Sequence, residues 1–143
     1  MLLGEYAHTI DDKGRFTMPT KLRDALKDGF VITRGLDGCL YMYDAEHWRQ
    51  FEEKLVSLPM TNRPAREFIH FFVSGAVESN YDKQGRVPLP VNLREYAKLG
   101  KDIVIVGAGN HAEIWDADAW RKDQDSVVAN IDALADQMSG FQI

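Results

Sequence analysis

Cysteine is almost absent from this sequence. The single residue, Cys39, excludes an internal disulfide and a multi-cysteine zinc site. The four histidines, His8, His47, His70 and His111, show no i, i+4 pair and no metal-ligand spacing, so no metal is expected. No stretch reaches the roughly 18 consecutive apolar residues of a membrane-spanning helix. The opening MLLGEYAHTI has no basic segment, long apolar run or small-residue cleavage site, so no secretory signal is expected and the compartment expected is the cytoplasm. What is present is ordinary for a globular chain of 143 residues: 45% hydrophobic and 27% charged residues, enough for one core or for two small units sharing one.

The net charge of −5 argues at first against a nucleic-acid partner, but its distribution removes the objection. Residues 113–143 hold seven acidic side chains against two basic ones, whereas residues 1–112 hold 15 of each. The whole excess sits in the C-terminal segment. A basic surface elsewhere is permitted, because association responds to the local field rather than to the molecular sum.

The chain repeats itself. DDKGRFTMPTKLR at 11–23 returns as DKQGRVPLPVNLR at 82–94, with Asp11, Gly14, Arg15, Pro19, Leu22 and Arg23 matching Asp82, Gly85, Arg86, Pro90, Leu93 and Arg94 at one interval of 71. In each copy a short strand is expected to enter a tight turn at Asp-x-x-Gly. A second strand closed by proline and a short helical stretch follow (TKLRDALK and VNLREYAK). FVITRGLDGCLYMYD and DIVIVGAGNHAEIWD then read as β-hairpins, with the interval now 72 through Gly35 and Gly107 and through Trp48 and Trp120. Each copy ends in a helix. The first carries Trp48, Phe51, Leu55 and Leu58 on one stripe, the last Val127, Ile131, Leu134 and Met138 on another.

These patterns predict an α+β fold divided into a first repeat over 1–58, a linker and aromatic helix over 59–75 carrying Phe68, Phe71 and Phe72, and a second repeat over 76–143 with an acidic C-terminal helix. A unit of about 50 residues buries little surface alone, so the two repeats are expected to share one core.

In Asp-x-x-Gly-Arg the aspartate can accept from backbone amides two residues on, glycine supplies positive φ, and the arginine leaves a rigid turn in a fixed direction. Lys13 and Lys83 add charge in the two loops, and Lys21, Arg23 and Arg94 lie close by in sequence. Such groups suit phosphates and guanine edges. The residues alone equally allow two surface turns closed by Asp11–Arg15 and Asp82–Arg86 ion pairs.

Both motif copies, their spacing, the passages YMYDAEHW and EIWDADAW and the central FIHFFVSGA together make the sequence resemble the MraZ family over nearly its whole length. The resemblance implies a double-split β-barrel built from two tandem AbrB/SpoVT-like swapped-hairpin repeats with flanking helices. It also implies a sequence-specific DNA-binding transcriptional regulator at the nucleoid. As a ring-shaped homo-oligomer it would bind direct repeats in double-stranded promoter DNA of the division and cell-wall gene cluster. Carried onto this chain, the expected contacts are Arg15 with Lys13 and Arg86 with Lys83. Asn80 and Tyr81 depart from the acidic-aliphatic pair more usual in the family, and the C-terminal tail is short and acidic.

Other motifs mislead. GAGNHA at 107–112 fits the G-x-G-x-x-A dinucleotide fingerprint, but AEIWD after it continues a strand pattern where the fingerprint needs a helix, so no cofactor is expected. No nucleophile with a neighbouring base suggests an enzyme with a small-molecule substrate. The competing reading is a protein-interaction scaffold, or an antitoxin-like member of the same fold, acting through its acidic C-terminal tail.

Overall fold

Proline, glycine and β-branched runs cut this chain into short elements. The computed structural model describes residues 1–143. In order these are β1 (Glu5–Thr9), β2 (Arg15–Thr17), α1 (Thr20–Arg23), β3 (Phe30–Arg34), β4 (Leu40–Tyr43), α2 (Ala45–Val56) and α3 (Arg63–Val73). The second half continues with β5 (Val77–Ser79), β6 (Arg86–Pro88), α4 (Val91–Tyr96), β7 (Asp102–Gly107), β8 (Ala112–Asp116), α5 (Ala117–Ala129) and α6 (Ile131–Gln137). The fold is α+β, as the sequence predicts. No helix is long and apolar enough to cross a membrane.

Six strands form an antiparallel sheet in the order β1-β7-β8-β4-β3-β5, and β2 pairs antiparallel with β6 in a separate two-stranded ribbon. The order is palindromic: exchanging the equivalent strands of the two halves returns the same sheet. Each half also lends its first strand to the other. β1 pairs with β7, and β5 pairs with β3.

The registers refine the repeat. Ala7 faces Val104 and Glu78 faces Val31, so Val31 is the counterpart of Val104 at an interval of 73. Tyr43 and Trp115, facing Val31 and Val104, are 72 apart. Two residues are therefore gained before β7 and one is dropped in the second hairpin turn, and Gly107 ends a strand where Gly35 lies in the turn.

One cluster of 17 buried residues fills the space between sheet and ribbon. It takes equivalent positions from both halves: Phe16 with Val87, Met18 with Leu89, Leu22 with Leu93, Leu26 with Ala97, Phe30 with Ile103, Ile32 with Ile105, Leu40 with Ala112, and Met42 with Ile114, plus Leu2. Leu22 and Leu26 are both buried, although α1 is only a single turn.

The helices depart from expectation at their ends. α2 stops at Val56, so Leu58 lies beyond its C-cap while Trp48 and Phe51 pack on Tyr43. Asn62 caps α3 by accepting from Ala65 N at 2.9 Å, and Pro64 fits its first turn. The aromatic stretch divides, with Phe72 buried and Phe68 43% exposed. The C-terminal stripe does not form one continuous helix. Asn130 breaks it between α5 and α6, and Val127, Ile131, Leu134 and Met138 are not buried in this chain.

Candidate nucleic-acid interface

Each Asp-x-x-Gly-Arg stretch forms one closed turn, built identically in the two halves. Gly14 N donates to Asp11 O at 3.0 Å and Asp11 N to Arg15 O at 2.8 Å; Gly85 N donates to Asp82 O and Asp82 N to Arg86 O, both at 3.0 Å. The glycines hold φ of 76° and 75°. A side chain there would meet the left-handed steric penalty, which explains why glycine ends both turns. Inside, Asp11 Oδ1 accepts from Lys13 N and Arg15 N, and Asp82 Oδ1 accepts from Gln84 N and Arg86 N.

The arginines are aimed by the same aspartates. Arg15 Nε donates to Asp11 Oδ2 at 2.8 Å, and Arg86 Nε to Asp82 Oδ2 at 2.7 Å. Each arginine thus closes an ion pair with its own turn through Nε, and Arg86 Nη2 also donates to Gln84 Oε1. The amide hydrogen bonds from Arg15 and Arg86 hold the Asp11 and Asp82 carboxyls below the ordinary aspartate value, with the guanidiniums adding to the effect.

The β2–β6 pairing brings the two loops into one surface. Arg15 faces Pro88, Phe16 faces Val87, and Thr17 faces Arg86. Alternation then sends Phe16 and Val87 into the core and puts Arg15, Thr17, Arg86 and Pro88 on the outer face. By strand spacing and rise, the Cα atoms of the two arginines lie about 8 Å apart on the diagonal. Lys13 and Lys83 are exposed at the loop tips, and Lys21 and Arg23 are exposed on α1.

The remaining candidate, Arg94, is half-buried and donates through Nε to Leu89 O at 2.9 Å. Its guanidinium lies against Gly14, while Arg23 lies against Gly85 and over the Tyr81 ring at 4.8 Å. The backbone repeats this exchange, with Leu89 N donating to Gly14 O and Met18 N to Gly85 O. Each loop is thus held by the opposite half of the chain. The sequence reading missed these supports. It also missed that Asn80 accepts from Gly29 N, and that Tyr81 donates to Leu26 O through its hydroxyl and to Asp28 through its amide. Strand β5 stops at Ser79, so the Asn80-Tyr81 pair serves as a brace below the loop.

Elsewhere the fold offers little chemistry. No cluster of three or more His, Cys, Asp or Glu side chains could hold a metal ion. Residues 108–111 connect β7 to β8, with Gly109 bridged to Leu2 and no helix starting there. Burial pushes the Cys39 thiol up, and its Sγ donates to Leu36 O. Glu113 beside it accepts from His111 Nε2 and Trp115 Nε1, each at 2.9 Å; burial alone would raise its carboxyl, but these hydrogen bonds outweigh that and lower it. A cleft of about 440 Å³ beside His8, Lys101, Asp116 and Arg121 is open and of mixed charge.

The family described as "MraZ protein, putative antitoxin-like" matches this chain twice, over residues 1–71 and 72–141. The chain belongs to the MraZ family. It is 49% identical over 141 residues to the "Transcriptional regulator MraZ" of Limosilactobacillus fermentum, covering 99% of both chains. It is 48% identical over 143 residues to the proteins of the same name from Heliobacterium modesticaldum and Moorella thermoacetica, covering 100% of each. These MraZ relatives are named as regulators of transcription and not as enzymes. The two family matches each contain one Asp-x-x-Gly-Arg turn.

Proposed function

We propose that this chain is a sequence-specific DNA-binding transcriptional regulator that grips double-stranded DNA with its two Asp-x-x-Gly-Arg loops. The observation that carries this reading is the common outer face of the β2–β6 ribbon, where Arg15 and Arg86 stand together, Arg15 held through Nε alone and Arg86 through Nε and Nη2. The major groove of B-DNA admits a two-stranded β-ribbon, and arginine is its commonest specific partner, at guanine O6 and N7. Lys13, Lys83, Lys21 and Arg23 extend the cationic surface around these arginines, while Arg94 serves chiefly to hold the first loop.

In this reading the chain is a double-split β-barrel of two swapped-hairpin repeats, 1–58 and 76–143, joined by 59–75. The palindromic sheet and the exchanged loops support that description. It works in the cytoplasm at the nucleoid, on direct repeats in the promoter of the division and cell-wall gene cluster, as a ring-shaped homo-oligomer. Exposed apolar side chains on α3 and the C-terminal helices, among them Phe68, Val128, Ile131 and Phe141, supply surface for contact between copies. A ring presents many loop pairs at fixed spacing, so binding to consecutive repeats becomes intramolecular, and avidity raises affinity by about 10²–10⁴.

The test is fluorescence anisotropy on duplex DNA from upstream of the protein's own coding region and on a scrambled duplex, at several salt concentrations. Preference for the native duplex and a steep fall with salt are expected. Substituting Asp123, Asp125, Asp132 and Asp136 by asparagine should leave that binding intact. A wild type that ignores both duplexes would contradict the reading and return attention to the acidic C-terminal helices.

A further inference from the structure

The two loops share one backbone but not one chemistry at their tips. In a turn closed by the Gly-to-Asp hydrogen bond, the two middle residues stand farthest out. These are Asp12 and Lys13 in the first loop and Lys83 and Gln84 in the second, all exposed. Asp12 thus stands where the other half has Lys83, and Lys13 where it has Gln84.

The hydrogen bonds widen the difference. Gln84 Oε1 accepts from Arg86 Nη2 while Asp82 takes Nε, so one whole edge of the Arg86 guanidinium is filled from within the loop. Arg15 is held through Nε alone. With the side-chain acceptors of Asp82 and Gln84 used within the loop, the side chains of the second loop present donors: Lys83 Nζ, the Gln84 amide and the remaining Nη hydrogens of Arg86. Arg23, lying against Gly85, adds a further cation at that end. The first loop presents donors from Lys13 and Arg15 together with a free acceptor, the Asp12 carboxylate, which no cation of the chain engages.

Phosphates accept and never donate, so the Asp12 carboxylate is repelled by a phosphate backbone. Base edges do both. A carboxylate accepts from the cytosine N4 amino group, while arginine and lysine donate to guanine O6 and N7. Resting on the DNA-binding reading above, we propose that the two loops divide the contact: the Asp12–Lys13 turn reads base edges, and the Lys83–Gln84 turn holds the phosphate backbone. A two-fold symmetric reader asks for a palindrome. This pseudo-symmetric pair is broken at its tips, so it lies on DNA in one direction, and successive copies side by side read sites of the same orientation.

The test uses the full-length chain carrying Asp12→Asn or Lys83→Gln, both at exposed tip positions, titrated beside wild type on the upstream duplex and on its scrambled counterpart over a range of salt. Lys83→Gln should weaken both duplexes by a similar factor and reduce the slope of log affinity against log salt by about one for each phosphate no longer neutralised. Asp12→Asn should tighten the scrambled duplex more than the native one, cutting the native-to-scrambled ratio by about tenfold. Equal effects of Asp12→Asn on both duplexes, or a collapse of the ratio in Lys83→Gln, would overturn the division of labour. A wild type that binds neither duplex would overturn the DNA reading itself, and the proposal with it, before any variant is compared.

Discussion

The guanidinium of Arg94 lies against Gly14, so that a methyl group built on that glycine would stand 2.8 Å from Arg94 Cζ. Arg23 takes the same place against Gly85. Because these arginines come from the helix of the opposite half, neither loop is complete without the other. The reciprocal bonds from Leu89 N to Gly14 O and from Met18 N to Gly85 O fix the same dependence in the backbone. Arg15 and Arg86 are thereby placed by one shared ribbon and not by two independent hairpins.

Gly14→Ala and Gly85→Ala should each destabilise the chain by about 1–2 kcal/mol, because alanine resists φ near 75°. Arg94 or Arg23 must also swing aside. Chemical denaturation measures this loss, and backbone amide shifts should change in both loops after either substitution. Shifts confined to the substituted loop would contradict the coupling.

Gly107→Ala is expected to act through a different contact. A Cβ at Gly107 would stand 2.3 Å from Leu3 N, against backbone that docks through Gly107 N to Gly4 O and through two bonds between Leu2 and Gly109. The N-terminal segment must lift and withdraw Leu2 from the core, a loss of about 1.5–3 kcal/mol for a buried leucine. Hydrogen exchange should show Leu2 N losing protection. The glycines that mimic a dinucleotide fingerprint thus serve the approach of the N-terminal segment.

The loop aspartates should respond to acid. Folding lowers the Asp11 and Asp82 pKa values, first through the amide bonds from Arg15 and Arg86, so the folded loops bind fewer protons than the unfolded chain near the ordinary value of 3.8. Their stabilising contribution is complete above that value and is lost as the pH falls through the lower folded one. Carboxyl NMR titration should give both midpoints below 3.8, with the loops loosening only there. Midpoints at or above 3.8 would contradict the hydrogen bonding described here.

Much of this was legible in the residues. Asp, Gly and Arg at fixed spacing carry the turn chemistry locally, and alternation in RFT and RVP assigns Arg15 and Arg86 outward. The exchange between halves was implied only by the resemblance to swapped-hairpin repeats, because a strand's partner is set by tertiary packing and leaves no mark in local periodicity. For the same reason Arg94 read as one more loop-side cation, whereas its Nε is engaged by Leu89 O. The two residues gained before β7 were masked by the one dropped in the turn, since only the net interval shows in sequence. The break at Asn130 was invisible to a hydrophobic stripe that continues past it.

The most direct measurement is the affinity of the Arg15→Ala/Arg86→Ala chain for its own upstream duplex, with circular dichroism and assembly state checked against wild type. Both side chains lie on the outer face of the ribbon, so fold and assembly should persist. Removing both guanidinium groups predicts a fall in affinity of at least about 100-fold and a shallower salt dependence. An equally folded double variant that binds as tightly as wild type, with the same salt slope, would contradict the claim that these two loops hold DNA.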